Sequence, residues 1–470
     1  MSSFHRIENY VLLIFFQLYL LGTVVFFAFG PWQWIVADSV KLYSFLLAAQ
    51  LMIALGYAVA LWREGAGQRQ MVEPTTGKMW FRVSLVVNIL LAAPTAWARS
   101  NAWVPNIIAG LQNPGIVYME SVARLSVFGE HVYVEYARIL LAVVILPLVP
   151  LTIMYWRSLS RVEQFLAGAT IAWYLSIFIA VGQNKGLADA IATWAILIIA
   201  GSIFRRLPLR SMVIKLPIAY IIALGLFFSY FGMTQLLRDG GAVANAPGTL
   251  AWYAPVDPPI GGFSGTAIVV GSEADDREIA GPTRIVAYPD HLIARVAPDF
   301  VRNAYESFTR YLGQGYQALA FSIDLAHPST LGVGNSMFLA RNFDRILATD
   351  YFESESLPGL LERENGWSRQ KQWHSIYTWI ASDVGLPGTL IVMGILGFLL
   401  GTSWVKTIRT ADPLWATMLY MTLIIFFYIP ANNQIMQSGE TAIGFIALLV
   451  LILGRWVMSR FSGGAMRSVA

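Results

Sequence analysis

Residues 373–400 read WHSIYTWIASDVGLPGTLIVMGILGFLL. The stretch opens on a polar, aromatic mouth, Trp373-His374-Ser375, and then stays apolar for longer than the roughly 20 residues that cross a bilayer as a helix. Read backwards from it, the chain is polar as far as Arg238, and before Arg238 it is again mostly apolar. One long polar segment therefore separates two blocks of hydrophobic spans. Of the 470 residues, 56% are hydrophobic and only 13% charged, against about 25% charged in soluble domains. That balance excludes a soluble single-core protein.

Ten spans are expected, near 10–31, 39–62, 82–99, 134–156, 162–182, 187–204, 214–236, 376–402, 412–430 and 440–459. No clear small-residue cleavage site follows the first, so it reads as a retained span and not as a signal peptide. The expected fold class is an all-α polytopic membrane protein, about ten transmembrane helices with one large external loop domain. Helices 1–7 fill 1–236, the external loop fills 237–375, and helices 8–10 with an inside tail fill 376–470. The Lys/Arg bias sets the orientation. Arg6, Arg63, Arg69, Lys78, Arg82, Arg157, Arg161, Arg205, Arg206, Arg210, Lys215, Lys406, Arg409 and Arg455 fall on one side, taken as inside. The short outside loops 32–38, 182–186 and 431–439 hold only Lys185, while 100–133 holds Arg124. The net charge of +4 is explained by the inside loops and gives no reason to expect nucleic acid. There is no cysteine, and the five histidines lack metal-ligand spacing, so neither a metal nor another cofactor is expected.

Charged groups near a membrane plane are costly and are functional candidates by default. Lys41, Glu135, Arg138, Asp189 and Asp383 are such groups, nearly all toward the outer face. GQNKG (182–186) is a short external turn with Lys185 near its tip, either a snorkelling lysine or a phosphate contact near the head-group plane. Val301, Tyr305, Phe308 and Leu312 follow helical spacing, which predicts a helix over 299–312. Arg302, Glu306 and Arg310 share another face, where the arginines either meet an anion or simply pair with Glu306. RYLGQGYQALAFSIDL (310–325), which continues that helix, and GVGNS (332–336) form the densest polar-aromatic run. Arginine forks a phosphate, tyrosine faces stack on sugars, and glycine lets backbone approach a ligand. Tyr311, Gln314, Tyr316, Asn335 and Arg341 are the substrate-binding candidates there, and a plain turn is the alternative for GVGNS. His374 is the one histidine at the mouth of a span beside the loop. It could take a proton from a hydroxyl, or belong to an interfacial aromatic belt with Trp367, Trp373, Tyr377 and Trp379.

On these residues a resemblance appears. YLGQGYQALAFSIDL with the trailing GVGNS resembles the loop of bacterial oligosaccharide repeat-unit polymerases of the Wzy type. WHSIYTWIASDVGLPGTL resembles the end of the large loop in these polymerases and in the related O-antigen ligases. His374-Ser375 followed by Gly385-Leu386-Pro387-Gly388 fits the ligase step. Lys185 stands where an arginine is common. The resemblance implies a metal-independent glycosyltransferase in a bacterial inner membrane, with its large loop periplasmic. It would join lipid-linked oligosaccharide repeat units of O-antigen or exopolysaccharide at the outer leaflet. The growing glycan would pass from undecaprenyl pyrophosphate to a free hydroxyl of another lipid-linked unit. His374 and Arg310 would be catalytic, with Lys185, Arg302, Tyr311, Gln314, Tyr316, Asn335 and Arg341 contacting substrate. A chain-length regulator and a flippase are the implied protein partners. An O-antigen-ligase-type transferase, or a flippase of lipid-linked sugars, is the alternative.

Overall fold

The structure, a computed structural model, describes residues 4–64, 74–126, 129–205, 212–238, 249–252 and 283–467. Arg69, Arg206 and Arg210, used above for orientation, and most of 239–282 lie outside these residues.

The described chain is almost entirely helical. The first block runs α1 (Phe4–Phe29), α2 (Ser39–Glu64), α3 (Pro74–Ser100), α4 (Ile107–Gln112), α5 (Pro114–Ser126), α6 (His131–Leu140), α7 (Ala142–Ile145), α8 (Leu148–Tyr155), α9 (Arg161–Ala180), α10 (Lys185–Phe204) and α11 (Met212–Arg238). The loop segment holds an antiparallel pair, β1 (Thr249–Trp252) and β2 (Thr283–Val286), then α12 (Leu292–Val296), α13 (Asp299–Ser322), α14 (Met337–Leu347), α15 (Tyr351–Ser354) and α16 (Leu357–Asn365). The last block is α17 (Ile376–Thr410), α18 (Pro413–Tyr428) and α19 (Gly439–Arg467).

Among the described residues eight helices are long and apolar enough to cross a membrane: α1, α2, α3, α9, α10, α11, α17 and α19. Their outward faces carry large apolar side chains, Leu18, Leu51, Leu90, Phe165 and Leu226 among them, each more than a third exposed. Water would not tolerate so much exposed apolar surface, whereas lipid does. The chain is thus a multi-pass membrane protein. The segment read as a straight span over 134–156 is instead bent by 69° between α6 and the helical run from Ala142. α18 is apolar but shorter, and almost wholly buried by its neighbours.

α2 and α17 make the most extensive helix pair. A Cβ on Gly56 would overlap the carbonyl of Gly394, and one on Gly397 the carbonyl of Ile53. Small residues let the two backbones touch, the usual means of association where no water drives it. α17 is also not the single span its composition suggests. Gly385 sits at φ 66°, ψ 174°, two residues before Pro387, and breaks the helix there. Every residue from Ile376 to Asp383 is buried in protein, and the lipid-facing helix starts only after the break.

The large loop packs down on one end of the bundle, the loop end. Its strand β2 reaches the α1–α2 connection, where Gln33 N donates to Val286 O and Tyr288 N to Pro31 O. The opposite, far end carries its own ion pairs, Lys406 to Glu64 at 2.7 Å and Arg455 to Asp412 at 2.5 Å.

Candidate functional site

α13 is one continuous amphipathic helix, so the two runs predicted over 299–325 join. Its GQGYQ core is held by packing. Gly313 lies against the indole of Trp34, and Gly315 against the carbonyls of Pro430 and Ala431 and the amide of Ser375, where any side chain would collide. Ser375 N donates to Gly315 O at 3.2 Å, and Trp373 N to Gln314 Oε1 at 3.1 Å. The segment that carries His374 is thus pinned to α13 on both sides. Gln317 bonds both backbone groups of Ile35, at 2.8 and 2.6 Å. Tyr316 is 0% exposed and its hydroxyl meets Thr23 at 2.9 Å, which leaves no face for a sugar to stack on.

His374 itself is 1% exposed, with its ring edge-on to Trp379 at 5.9 Å. Its Nε2 has no hydrogen-bond partner among the described residues. Burial pushes the imidazole down to about 3, so it is neutral at physiological pH. Arg310 is buried, with its guanidinium 5.8 Å from the Tyr311 ring centre. The pairing expected around Glu306 is only partly present. Arg302 approaches Glu306 at 3.7 Å and Asp299 at 3.4 Å, but the close partner of Glu306 is His291 at 3.0 Å. Arg341 is half exposed on α14 and pairs with Glu353 at 3.4 Å.

The GVGNS turn is not a plain turn. It wraps the carboxylate of Asp383, which accepts from Thr330 Oγ1 at 2.5 Å, from the amides of Gly332, Gly334 and Asn335 at 3.0 Å each, and from Asn335 Nδ2 at 2.7 Å. Successive amides converging on one anion form a nest. Here the anion is a side chain at the end of the first helical piece of α17. Asn335 is therefore spent on Asp383, and Asn433 Nδ2 donates to its carbonyl at 2.8 Å.

A second constellation lies at the loop end among α3, α5, α6, α9, α10, α18 and α19. It is a cavity of about 380 Å³ lined by Arg99, Arg138 and Lys185 and by Glu135, Asp189 and Glu440. Arg99 grips Glu135 bidentately at 2.9 and 3.1 Å. Arg138 meets Glu440 at 2.6 and 2.9 Å, Thr95 at 3.0 Å and Tyr174 at 3.3 Å. Lys185 Nζ touches Asp189 at 2.6 Å. Three cations face three carboxylates, so the cavity is charged but balanced. An incoming anion must displace a carboxylate. Lys185, tied by a single bond one turn along its own helix, is the cation most easily redirected. Aromatic rings link this cavity to the loop: Tyr311 meets Trp373 at 4.7 Å, Trp373 meets Tyr428 at 6.1 Å, and Tyr428 lies beside Asp189.

The predicted residues thus fall into three groups. Arg310, Tyr311, Gln314, Tyr316 and His374 meet around α13, Arg302 lies nearer the start of that helix, Lys185 lies in the charged cavity, and Asn335 and Arg341 lie apart from both. Glu440 escaped the sequence reading. An acid at the first turn of the last apolar run was the available signal. No group of His, Asp and Glu among the described residues could hold a metal ion. No protein-family model, curated protein or solved structure matches this chain. The class that fold and site define is therefore a multi-pass helical membrane protein with a polar loop assembly over one end and a charged cavity beneath it.

Proposed function

We propose that the protein transfers a glycan between lipid-linked oligosaccharide units, as a polymerase of the outer leaflet of a bacterial inner membrane. In this reading α6–α8 and α18 each complete a crossing, giving ten, with the large loop periplasmic and both termini cytoplasmic. The observation that carries the proposal is the shape of the charged cavity. Through Leu175, Ala190 and Trp194 it adjoins an apolar groove of about 530 Å³ between α9, α10 and α11. A polar cavity continuous with an apolar groove suits an amphiphile, with a pyrophosphate at Lys185 and an isoprenoid chain beside α10. α5 lends Ser121 and Leu125 to the cavity wall while Ile116 and Met119 face outward, so the cavity borders the lipid interface.

The reaction needs an acceptor hydroxyl oxygen to attack the anomeric carbon. The bond from that carbon to the pyrophosphate oxygen breaks, and lipid pyrophosphate leaves. Lys185 and Arg310 carry the developing charge, a role that preorganised cations fill well. His374, kept neutral by burial, has its Nε2 enclosed, so in this reading it accepts the hydroxyl hydrogen bond only once the Trp373 segment parts from α13. Its low basicity makes it an orienting group first and a proton acceptor only late in bond formation. Tyr311 and Trp373 offer the ring faces on which a sugar can stack.

Analysis of lipid-linked glycans in cells lacking the protein tests this. Single repeat units should accumulate on the outer leaflet while long chains vanish. Long lipid-linked chains that persist without transfer to their final acceptor would indicate a ligase. Units trapped on the inner leaflet would indicate a flippase.

A further inference from the structure

At the far end of the bundle α8, α9 and α10 line a cavity of about 820 Å³, larger than the charged cavity and the apolar groove and within the range of ligand pockets. Its walls are apolar side chains such as Ile153, Ile171, Leu175 and Ile198. Two guanidinium groups, Arg157 and Arg205, sit on its rim, and no carboxylate lines it. Arg157 is exposed and makes no ion pair among the described residues. Among the described residues Arg205 donates to backbone, the carbonyls of Ile153 and Met154. Burial, and then the like charge of Arg157, hold the Arg205 guanidinium below its ordinary value. Three other cations at this end do have carboxylate partners: Lys406 has Glu64, Arg455 has Asp412, and Arg82 has Glu163 at 2.7 Å. Among the described residues, Arg157 and Arg205 line an apolar cavity with no carboxylate beside them.

We propose that this cavity is a binding site for an anionic phospholipid, with the lipid phosphate held between Arg157 and Arg205 and an acyl chain running along α9 and α10. The apolar walls select a lipid over free phosphate, because a bare ion would leave most of the cavity unfilled. The arginine pair selects an anionic head group over a zwitterionic one, since a cation near the membrane surface favours anionic lipid by roughly five-fold. The interfacial Trp156 on the rim fits the depth of a head group. The arginines sit toward the far end of the bundle, while the inner wall, Val149, Ile171, Leu175 and Trp194, is shared with the charged cavity; the site does not depend on the glycan-transfer reading.

The test is native mass spectrometry of the purified full chain with equal amounts of phosphatidylglycerol and phosphatidylcholine of identical acyl chains. Wild type, with two cations at about fivefold each, should retain phosphatidylglycerol about 25-fold over phosphatidylcholine. Arg157→Ala, which keeps Arg205, should bring that ratio down to about fivefold. Arg205 is left intact because it also holds two carbonyls. Gly168→Leu probes the apolar part: a Cβ there meets nothing within 4 Å, so the new side chain enters the cavity without displacing a neighbour. It should lower retention of phosphatidylglycerol severalfold while the protein stays folded. Equal retention of the two lipids by wild type, an unchanged ratio in Arg157→Ala, or unchanged retention in Gly168→Leu would each overturn the proposal. So would displacement of the lipid by millimolar inorganic phosphate, which would reduce the site to an anion contact.

Discussion

Asp383→Asn is the sharpest probe of how the large loop is fastened to the membrane helices. The substitution keeps volume and shape and turns one acceptor oxygen into a donor. In the native arrangement Oδ1 takes Thr330 and the amides of Gly332 and Gly334, while Oδ2 takes the amide and side chain of Asn335. An amide oxygen can still serve the first three. The amide nitrogen must then face two donors, and both bonds are lost. Hydrogen bonds to a charged group contribute about 1.5–3 kcal/mol each, so the 329–336 loop should be loosened by roughly 3–6 kcal/mol. The rest of the loop keeps its ties, Thr330 N to Ser382 O at 3.1 Å and Ser336 Oγ to Met436 O at 2.6 Å, so the opening stays local. Amide hydrogen exchange reads this directly. Protection at Gly332, Gly334 and Asn335 should fall by about a hundredfold or more, with the lipid-facing part of α17 unaffected. Protection unchanged at those three amides would refute the nest as the fastening device.

Three further outcomes are expected. For His374→Gln the readout is stability against pH. The folded imidazole is depressed to about 3 and the unfolded one titrates near 6.5, so the unfolded state binds the proton first. Wild type is fully stable above pH 6.5 and loses stability as pH falls from there toward 3, by about 2 kcal/mol at pH 5. Thermal unfolding of the Gln variant should lack that loss, and parallel pH curves for the two proteins would contradict the burial argument. Lys185→Ala should cut polymer output about tenfold or more. Lys185→Ala/Asp189→Ala should be no better, whereas recovery in the double variant would show that Lys185 only neutralises Asp189. Single cysteines placed in this cysteine-free chain at Ser158 and Arg345 should label from opposite faces of the membrane, and labelling from one face would overturn the topology.

The helices were readable in the sequence because lipid imposes long apolar runs, and α13 because its 3–4 spacing is strong. The bend between α6 and α7 and the break at Gly385 were not. Both fall inside continuous apolar runs, where composition still says span. Gly385 and Pro387 belong to a recognisable motif, and the motif by itself does not mark a hinge. The site was less legible than the fold. Gln314, Tyr316 and Asn335 have the residue types that bind sugars, but the same amide and hydroxyl groups satisfy buried backbone and carboxylate, and sequence does not separate the two uses. The close partner of Glu306 is His291, which caps the separate helix α12 and lies outside the spacing of α13. The charged cavity draws Arg99, Arg138, Lys185 and Glu440 from four helices, and Arg138 with Glu440, 302 residues apart, leaves no local pattern.

The central claim is the transfer of a glycan between lipid-linked units. It is tested most directly with purified full-length protein, a defined lipid-pyrophosphate-linked repeat unit and no added metal. The expected result is a ladder of longer lipid-linked glycans, with one free lipid pyrophosphate released for each linkage formed, and its loss in Arg310→Ala protein that still folds. Repeat units that stay single with active wild-type protein in a membrane, or a ladder unchanged by Arg310→Ala, would contradict the account.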